Sequence, residues 1–136
     1  MLKASAGKAV RPSLAASDAV ATLAVKDLKA SRKFYEGVLG LEVEEVRGSD
    51  VVRYSTGATR ILVYQSELAG TNEATAVTWM CHDVDVVVGG LRARGVVFEH
   101  YDFPGVKFEG DVHVAGETRA AWFKDPDGNI LAIVSS

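Results

Sequence analysis

The chain has 136 residues, of which 48% are hydrophobic and 24% are charged, and its formal net charge at pH 7 is −3. This length supports one sizeable core and is too short for two comfortable independent domains. The acidic balance argues against binding to a nucleic-acid backbone, and no apolar run approaches the roughly 20 residues that a membrane span requires.

The first segment, residues 1–17, is rich in alanine, serine and lysine, and its Arg11-Pro12 pair interrupts any helix. It has no continuous apolar stretch of the kind found in secretory signals, which is about 7 to 15 residues long. We expect a flexible extension on the surface, followed by a single domain over residues 18–136. Cys81 is the only cysteine, which excludes an internal disulfide and predicts a reducing, cytoplasmic location.

A strand, helix and strand pattern begins at residue 20. The apolar run 20–25 predicts a strand, and Asp27 after it can accept hydrogen bonds from the first turn of a helix. The amphipathic stretch that follows ends at Gly40, a residue suited to the left-handed position after a helix. Strand-like runs then cover residues 41–46, 51–55 and 61–65. The first module, about residues 18–68, is therefore predicted to be βαβββ.

The same order recurs in the second half of the chain. Residues 76–81 form another apolar run, and Asp83 and Gly95 then repeat Asp27 and Gly40 at nearly the same spacing. Further strand-like runs cover residues 96–101, 112–114, 119–124 and 130–135. The duplication predicts a second βαβββ module over about residues 74–136, and hence an α+β fold built from two repeated modules.

Three segments carry a resemblance to a known family: VKDLKASRKFY at residues 25–35, VLGL at 38–41, and FKDPDGN at 123–129. In this order they resemble the vicinal oxygen chelate superfamily, which includes glyoxalase I, bleomycin-resistance proteins, extradiol dioxygenases, fosfomycin-resistance transferases and methylmalonyl-CoA epimerases. The resemblance covers about residues 18–136. It implies two curled sheets forming a U-shaped cleft, with a small-molecule ligand inside, helices outside, and a homodimer as the assembly.

The resemblance also implies where a metal would be held. In metal-dependent relatives, a histidine at the start of each module's first strand and a glutamate on each last strand bind a divalent ion. The corresponding positions here fall at Val20, Ala76, near Val63, and at Ala132. None of these side chains can bind a metal, and a one-residue slip does not restore a ligand set. We therefore predict no metal and no other cofactor.

Few residues suggest covalent or acid–base catalysis. The sequence has no nucleophile elbow and no phosphate-binding glycine loop, and no base is evident for its cysteine. The three histidines show no close pair spacing, so a metal site made from His113, Glu109 and Asp111 is less favoured than solvated loop side chains. The candidates for metal-free acid–base chemistry are His113, Glu109, Tyr101 and Arg53.

Strand alternation predicts a mainly apolar set of side chains facing the cleft. The segment 100–108 carries three aromatic side chains around Pro104-Gly105 and predicts a lid or stacking platform. The alternative for each aromatic residue is an ordinary place in the core or in a dimer interface. The predicted ligand-binding residues are Thr22, Val63, Gln65, Thr78, Met80, Tyr101, Phe103, Phe108, Trp122 and Ala132.

The leading hypothesis is a metal-independent cleft protein, similar to the drug-binding branch of the family, that binds a small hydrophobic or aromatic molecule without transforming it. Two alternatives stay open. One is a metal-free lyase or isomerase-like enzyme on the glyoxalase scaffold, and the other is an accessory protein whose cleft has closed into core. The small residues Ala24, Ala76 and Ala132 favour an open cleft over a filled one.

Overall fold

A computed structural model describes residues 13–136. The predicted flexible extension, residues 1–17, therefore lies outside the described residues as far as residue 12. Residues 13–17 form an exposed turn in which the Ser17 hydroxyl donates to the Ser13 carbonyl at 2.6 Å. Within residues 13–136, no helix is long and apolar enough to cross a membrane.

Both modules follow the predicted βαβββ order, so the predicted α+β fold is confirmed. The first module contains β1 (Ala21–Val25), α1 (Leu28–Arg32), a π-helical continuation (Lys33–Val38), β2 (Glu42–Arg47), β3 (Val51–Thr56) and β4 (Thr59–Gln65). The second module contains β5 (Thr75–Cys81), α2 (Val84–Ala93), β6 (Phe98–Glu99), β7 (Lys107–Glu109), β8 (Val112–Ala115), β9 (Thr118–Lys124) and β10 (Ile130–Ser135).

The helix boundaries have the causes that the sequence indicates. The Asp27 carboxylate accepts hydrogen bonds from two backbone N–H groups of the first turn at 3.0 and 3.3 Å, and the Asp83 carboxylate accepts one at 3.2 Å. Gly40 and Gly95 have φ values of 73° and 95°, a left-handed conformation that glycine adopts without steric strain. The predicted start and stop signals are therefore confirmed.

Each module forms one sheet, with strand order β1-β4-β3-β2 in the first and β5-β10-β9-β8-β7 in the second. The first and last strands of each module are parallel neighbours, and the other pairs are antiparallel. The short strand β6 also pairs with β9. The repeated parallel pair gives the two modules equivalent central strands, on which equivalent positions can be compared.

The second module departs from the predicted strands in one place. The strand predicted over residues 96–101 shortens to β6, because the Tyr101 N–H donates to His113 Nε2 at 2.9 Å instead of to a neighbouring strand. β7 then forms inside the segment predicted to be a lid, and it places Phe108 opposite His113 on β8. The segment is thus partly built into the sheet.

One hydrophobic core is shared by the two modules. Its largest fully buried side chains come from both halves of the chain: Leu23, Tyr35, Tyr54 and Ile61 from the first module, and Phe123, Leu131 and Ile133 from the second. Burying a side chain of this size stabilises the fold by about 1.5 to 3 kcal/mol. The folded state of each module therefore depends on the other.

The turn between β9 and β10 joins the modules through buried hydrogen bonds. The Tyr35 hydroxyl donates to Asp125 Oδ2 at 2.7 Å, and Asn129 Nδ2 donates to Asp125 Oδ2 and to the Ala24 carbonyl, both at 2.8 Å. Asp125 Oδ1 accepts from the backbone N–H groups of Asp127 and Asn129, both at 2.9 Å. Burial and the Asp125 carboxylate raise the pKa of Tyr35, which keeps its hydroxyl protonated as a donor.

Candidate functional site

The helix of the second module covers one face of its sheet and leaves the other face open. The register places Thr78, Ala132 and Trp122 side by side on β5, β10 and β9. Their alternating neighbours Trp79 and Ile133 point to the opposite side and pack in or against the core. We call the side that carries Trp122 the open face of the second sheet.

An aromatic cluster lies on this open face. His113 is central, with its ring centroid 4.6 Å from that of Phe108 and 4.8 Å from that of Trp122. Phe103 and Phe108 keep 45% and 41% of their surface exposed. The tilted and edge-to-face contacts are favourable for aromatic rings. The rings of the cluster are His100, Tyr101, Phe103, Phe108, His113 and Trp122.

His113 is the buried polar centre of the cluster, with 3% of its surface exposed. Its Nε2 accepts the Tyr101 N–H, so the neutral ring carries its proton on Nδ1. Burial and the nearby His100 lower the pKa of His113. The unfolded chain then binds the proton more readily than the folded protein, so stability falls as the pH drops below about 6.5, the ordinary histidine value.

Two polar atoms of the cluster lack partners. Within the described part of the chain, His113 Nδ1 and Tyr101 Oη are buried and make no well-formed hydrogen bond. Burial and the Glu99 charge raise the pKa of Tyr101, which keeps its hydroxyl protonated. A buried unpaired group of this kind costs about 1 to 3 kcal/mol. The cluster therefore combines aromatic surface with two unused hydrogen-bonding groups.

An ionic contact fixes the edge of the cluster. Asp111 lies 2.7 Å from His100 Nε2 and 2.7 Å from Arg92 Nη2, and both contacts lower the pKa of Asp111. The His100 ring stacks on Phe108 with centroids 4.9 Å apart and planes at 16°. The sequence interpretation placed His100 on the same face as Phe98, which is wrong because β6 ends at Glu99 and only Phe98 enters the core.

Glu109 is separated from the other candidate catalytic residues. It pairs with Val112, which is buried in the core, and its carboxylate lies 3.0 Å from Arg119 Nη1. Strand alternation therefore places Glu109 on the side opposite His113. The structure does not bring His113, Glu109 and Asp111 together, and residues 13–136 contain no cluster of three or more His, Cys, Asp or Glu side chains that could hold a metal.

The first sheet corrects two predicted positions. Thr22 pairs with Leu62, and both lie on the side away from the core. Val63 pairs with Leu23, and both are buried in the core, so the prediction that Val63 faces the cleft is wrong. Gln65 follows Val63 by two residues and lies on the same side of the strand as Val63, away from Thr22. The alternation was correct, but its phase in β4 was displaced by one residue.

Arg53 lies on the first sheet, on the same side as Leu62. Its guanidinium lies 2.9 Å from the Glu44 carboxylate and 2.9 Å from that of Glu45. Arg60 also pairs with Glu44 at 2.9 Å. The outer face of the first sheet is therefore charged where that of the second is aromatic, and Arg53 is already neutralised by two carboxylates.

The metal positions implied by the resemblance can now be located. Val20 precedes β1, Ala76 lies at the start of β5, and Leu62 and Ala132 are equivalent on β4 and β10, because each pairs with a threonine of the neighbouring first strand. None of the four side chains carries an oxygen, nitrogen or sulfur donor. These residues do not fit a divalent ion.

The remaining predicted ligand-binding residues are brought together. Thr78, Met80 and Ala132 lie on the same side of the second sheet as Trp122, next to Tyr101, Phe103 and Phe108 of the aromatic cluster. Their role in binding stays a prediction. His100 and Thr75 were missed, and Thr75 accepts a hydrogen bond from Trp122 Nε1 at 3.1 Å. Neither has a local sequence signal, because both gain their places from neighbouring strands.

Two βαβββ modules with parallel first and last strands and one outer face free of helices define a paired-module α+β protein. The sequence profile of the Glyoxalase/Bleomycin resistance protein/Dioxygenase superfamily matches residues 18–133. The chain therefore belongs to that superfamily, as the resemblance predicted. Among proteins with curated descriptions, none matches the chain at a significant level.

Solved structures share this fold. Lactoylglutathione lyase from Agrobacterium tumefaciens superposes with a TM-score of 0.67 at 18% identity, covering 89% of this chain and 94% of that one. The fosfomycin resistance protein FosX from Listeria monocytogenes gives 0.65 at 18% identity, covering 89% and 93%. The bleomycin-binding protein of Streptomyces verticillus, complexed with copper(II)-bleomycin, gives 0.64 at 23% identity, covering 87% and 94%. At these identities the likeness concerns the fold alone.

Proposed function

We propose that this protein binds a small hydrophobic or aromatic molecule on the open face of the second sheet, without a metal and without transforming it. The observation that carries this proposal is the aromatic cluster around His113, in which Phe103 and Phe108 remain partly exposed. Covering such rings with a flat ligand removes apolar surface from water, which is favourable by about 25 cal/mol per Å².

The residues at the implied metal positions support metal independence. Val20, Leu62, Ala76 and Ala132 offer apolar surface where metal-dependent relatives have ligands. This favours a protein that uses the scaffold for recognition. The likeness to the bleomycin-binding protein is in keeping with this class of function, since that neighbour is complexed with a drug.

The ligand would meet hydrogen-bonding groups as well as rings. His113 Nδ1 carries a proton, and Tyr101 Oη can donate or accept, and neither has a partner among the described residues. A planar ligand with one polar substituent would satisfy one of these groups while stacking on Trp122 or Phe108. This chemistry favours phenol-like or naphthol-like compounds over plain alkanes.

We include a homodimer and a cytoplasmic location in the proposal. In one chain the apolar side chains of the open face are not enclosed, and Met80 keeps 62% of its surface exposed. A second copy of the chain would cover this surface and complete the walls around a ligand. Sedimentation equilibrium measures this assembly directly.

The Trp122→Ala variant tests the binding site with 2-naphthol as the probe and isothermal titration calorimetry as the measurement. We expect saturable binding to the unchanged protein and affinity at least about tenfold weaker in the variant, because a lost ring contact is worth about 1.4 kcal/mol or more. Affinity should not change when a chelator is added.

The matched control is Trp79→Phe, which alters the other of the two tryptophans on the opposite side of the same sheet. Its affinity for 2-naphthol should stay within about twofold of the original. Bleomycin serves as a second probe. If neither compound binds saturably, or if Trp122→Ala binds as tightly as the unchanged protein, the open face is not the site.

A metal-free lyase or isomerase is the second candidate, and one observation favours it. The buried, neutral His113 and the protonated Tyr101 lie in one cluster with unused polar atoms, as acid–base groups often do. The probe reaction is cleavage of lactoylglutathione with a chelator present. An enzyme of this kind would lose at least about a hundredfold in rate in His113→Gln. Intact ligand binding with no turnover would reject it.

A further inference from the structure

A separate cavity lies on the helix-covered side of the second sheet, across the sheet from the aromatic cluster. Its volume is about 180 Å³, and it is partly open to solvent. Trp79 and Cys81 of β5 line it together with Val87 and Leu91 of α2. Because these side chains alternate with those of the open face, a molecule in this cavity would not touch Trp122.

The first module closes the other side of the cavity. Leu39 and Leu41, which connect the helix to β2, line it together with Thr56 at the end of β3. Trp79 Nε1 donates a hydrogen bond to Thr56 Oγ1 at 3.1 Å, so the indole N–H is already satisfied. The cavity therefore lies at the junction of the two modules rather than inside either one.

The lining chemistry disfavours water as the occupant. Apart from the paired Trp79 and Thr56, the only polar side-chain group in the lining is the Cys81 thiol. Burial raises the pKa of Cys81, so the thiol is neutral and a weak donor. An ordered water usually needs two to four good hydrogen-bond partners, and apolar cavities of this size remain dry and take apolar guests.

The size of the cavity selects among apolar ligands. Drug-sized ligands occupy pockets of about 300 to 1,000 Å³, whereas a cavity of about 150 Å³ accommodates benzene. The value of 180 Å³ falls near the second class. Trp79 and Phe123 supply aromatic walls, which favour a ring in tilted or edge-to-face contact. We propose that this inter-module cavity is a second binding site, specific for an apolar molecule with a single aromatic ring.

The two tryptophans allow the two sites to be measured separately. In Trp122→Phe, Trp79 is the only tryptophan, and in Trp79→Phe only Trp122 remains. Iodobenzene is the probe, since its iodine quenches a neighbouring indole. We expect saturable quenching of Trp79 emission in Trp122→Phe, whether or not 2-naphthol binds at the open face. Quenching that rises linearly without saturation would overturn the proposal.

A filled cavity provides the decisive comparison. In the Trp122→Phe background, Val87→Phe places a larger side chain in the cavity, and we expect iodobenzene affinity to fall at least tenfold. The matched control is Val86→Phe, the same change at the preceding position of α2, where the side chain is 68% exposed. The control should bind like its parent. Equal affinity in the two variants would mean that iodobenzene binds elsewhere.

Cys81 gives a second readout that needs no cavity-filling variant. It is the only cysteine in the chain and lines the cavity. Saturating iodobenzene should slow alkylation of Cys81 by iodoacetamide at least fivefold in the unchanged protein, with half-protection at the concentration that half-quenches Trp79. An unaltered alkylation rate at that concentration would contradict the proposed site, even if Val87→Phe failed to fold.

Discussion

Replacing Asp125 with alanine should lower the free energy of unfolding by about 3 to 4 kcal/mol. Asp125 is only 4% exposed, and its carboxylate accepts hydrogen bonds from Tyr35, Asn129 and the backbone of its own turn. Its removal leaves several buried donors unpaired. Urea denaturation at pH 7, followed by circular dichroism, measures the change against a typical total stability of about 5 to 15 kcal/mol.

The control for this prediction is Asp127→Ala, the same substitution two residues later in the same turn. The Asp127 side chain makes no hydrogen bond to the described residues, and only its backbone N–H is used. We expect its loss of stability to be about 1 kcal/mol or less. Asp125→Asn should fall between the two, because an amide oxygen can still accept the Tyr35 hydroxyl. Equal losses in both alanine variants would show that the buried network contributes little.

Gly70→Ala is expected to have a comparably large effect. Gly70 lies between the modules with a φ of +74°, and a Cβ built on it would overlap the backbone carbonyl oxygen of Asp127. The left-handed conformation alone costs about 1 to 2 kcal/mol for alanine. Because a backbone atom cannot move aside as a flexible side chain can, we expect a total loss of about 3 kcal/mol or more by thermal or urea unfolding.

Gly57→Ala separates the two causes. Gly57 also has a positive φ, +54°, but no described heavy atom lies within 4 Å of the position that an alanine methyl group would take. Its loss of stability should therefore be limited to the conformational part, about 1 to 2 kcal/mol. If the two glycine variants lose the same stability, the contact between residue 70 and the turn at Asp127 does not restrain the fold.

The repeated fold could be predicted because its signals are local. Asp27 and Asp83 cap their helices, and Gly40 and Gly95 end them, through interactions within a few residues of sequence. The apolar runs between these signals need only the alternation of a strand. Such features depend little on which strand lies next to which, and they recur in both modules.

The phase and pairing of strands could not be obtained from the same signals. Val63 fits an alternating pattern whichever side the pattern begins on, and only its pairing with Leu23 identifies the buried side. His100 continues an apparent strand, yet the strand ends because Tyr101 bonds to a side chain instead. These outcomes depend on contacts between distant segments.

The site was predicted in part for the same reason. Tyr101, Phe103 and Phe108 share one aromatic-rich segment, so their proximity could be expected from the sequence. The unpaired polar atoms of the cluster and the inter-module cavity arise only when several strands meet. Asp125 was recognised within a motif, but its link to Tyr35 joins residues 90 positions apart.

The hydrogen bond between Asn129 and the Ala24 carbonyl spans 105 positions of the chain. During synthesis at about 5 to 20 residues per second, the first module would therefore wait about 5 to 20 s after Ala24 is made before this partner is even polymerised. Throughout that interval the apolar face of β1 lacks its final cover. Translation speed through the second module thus sets how long the nascent chain is exposed to aggregation or to chaperone capture.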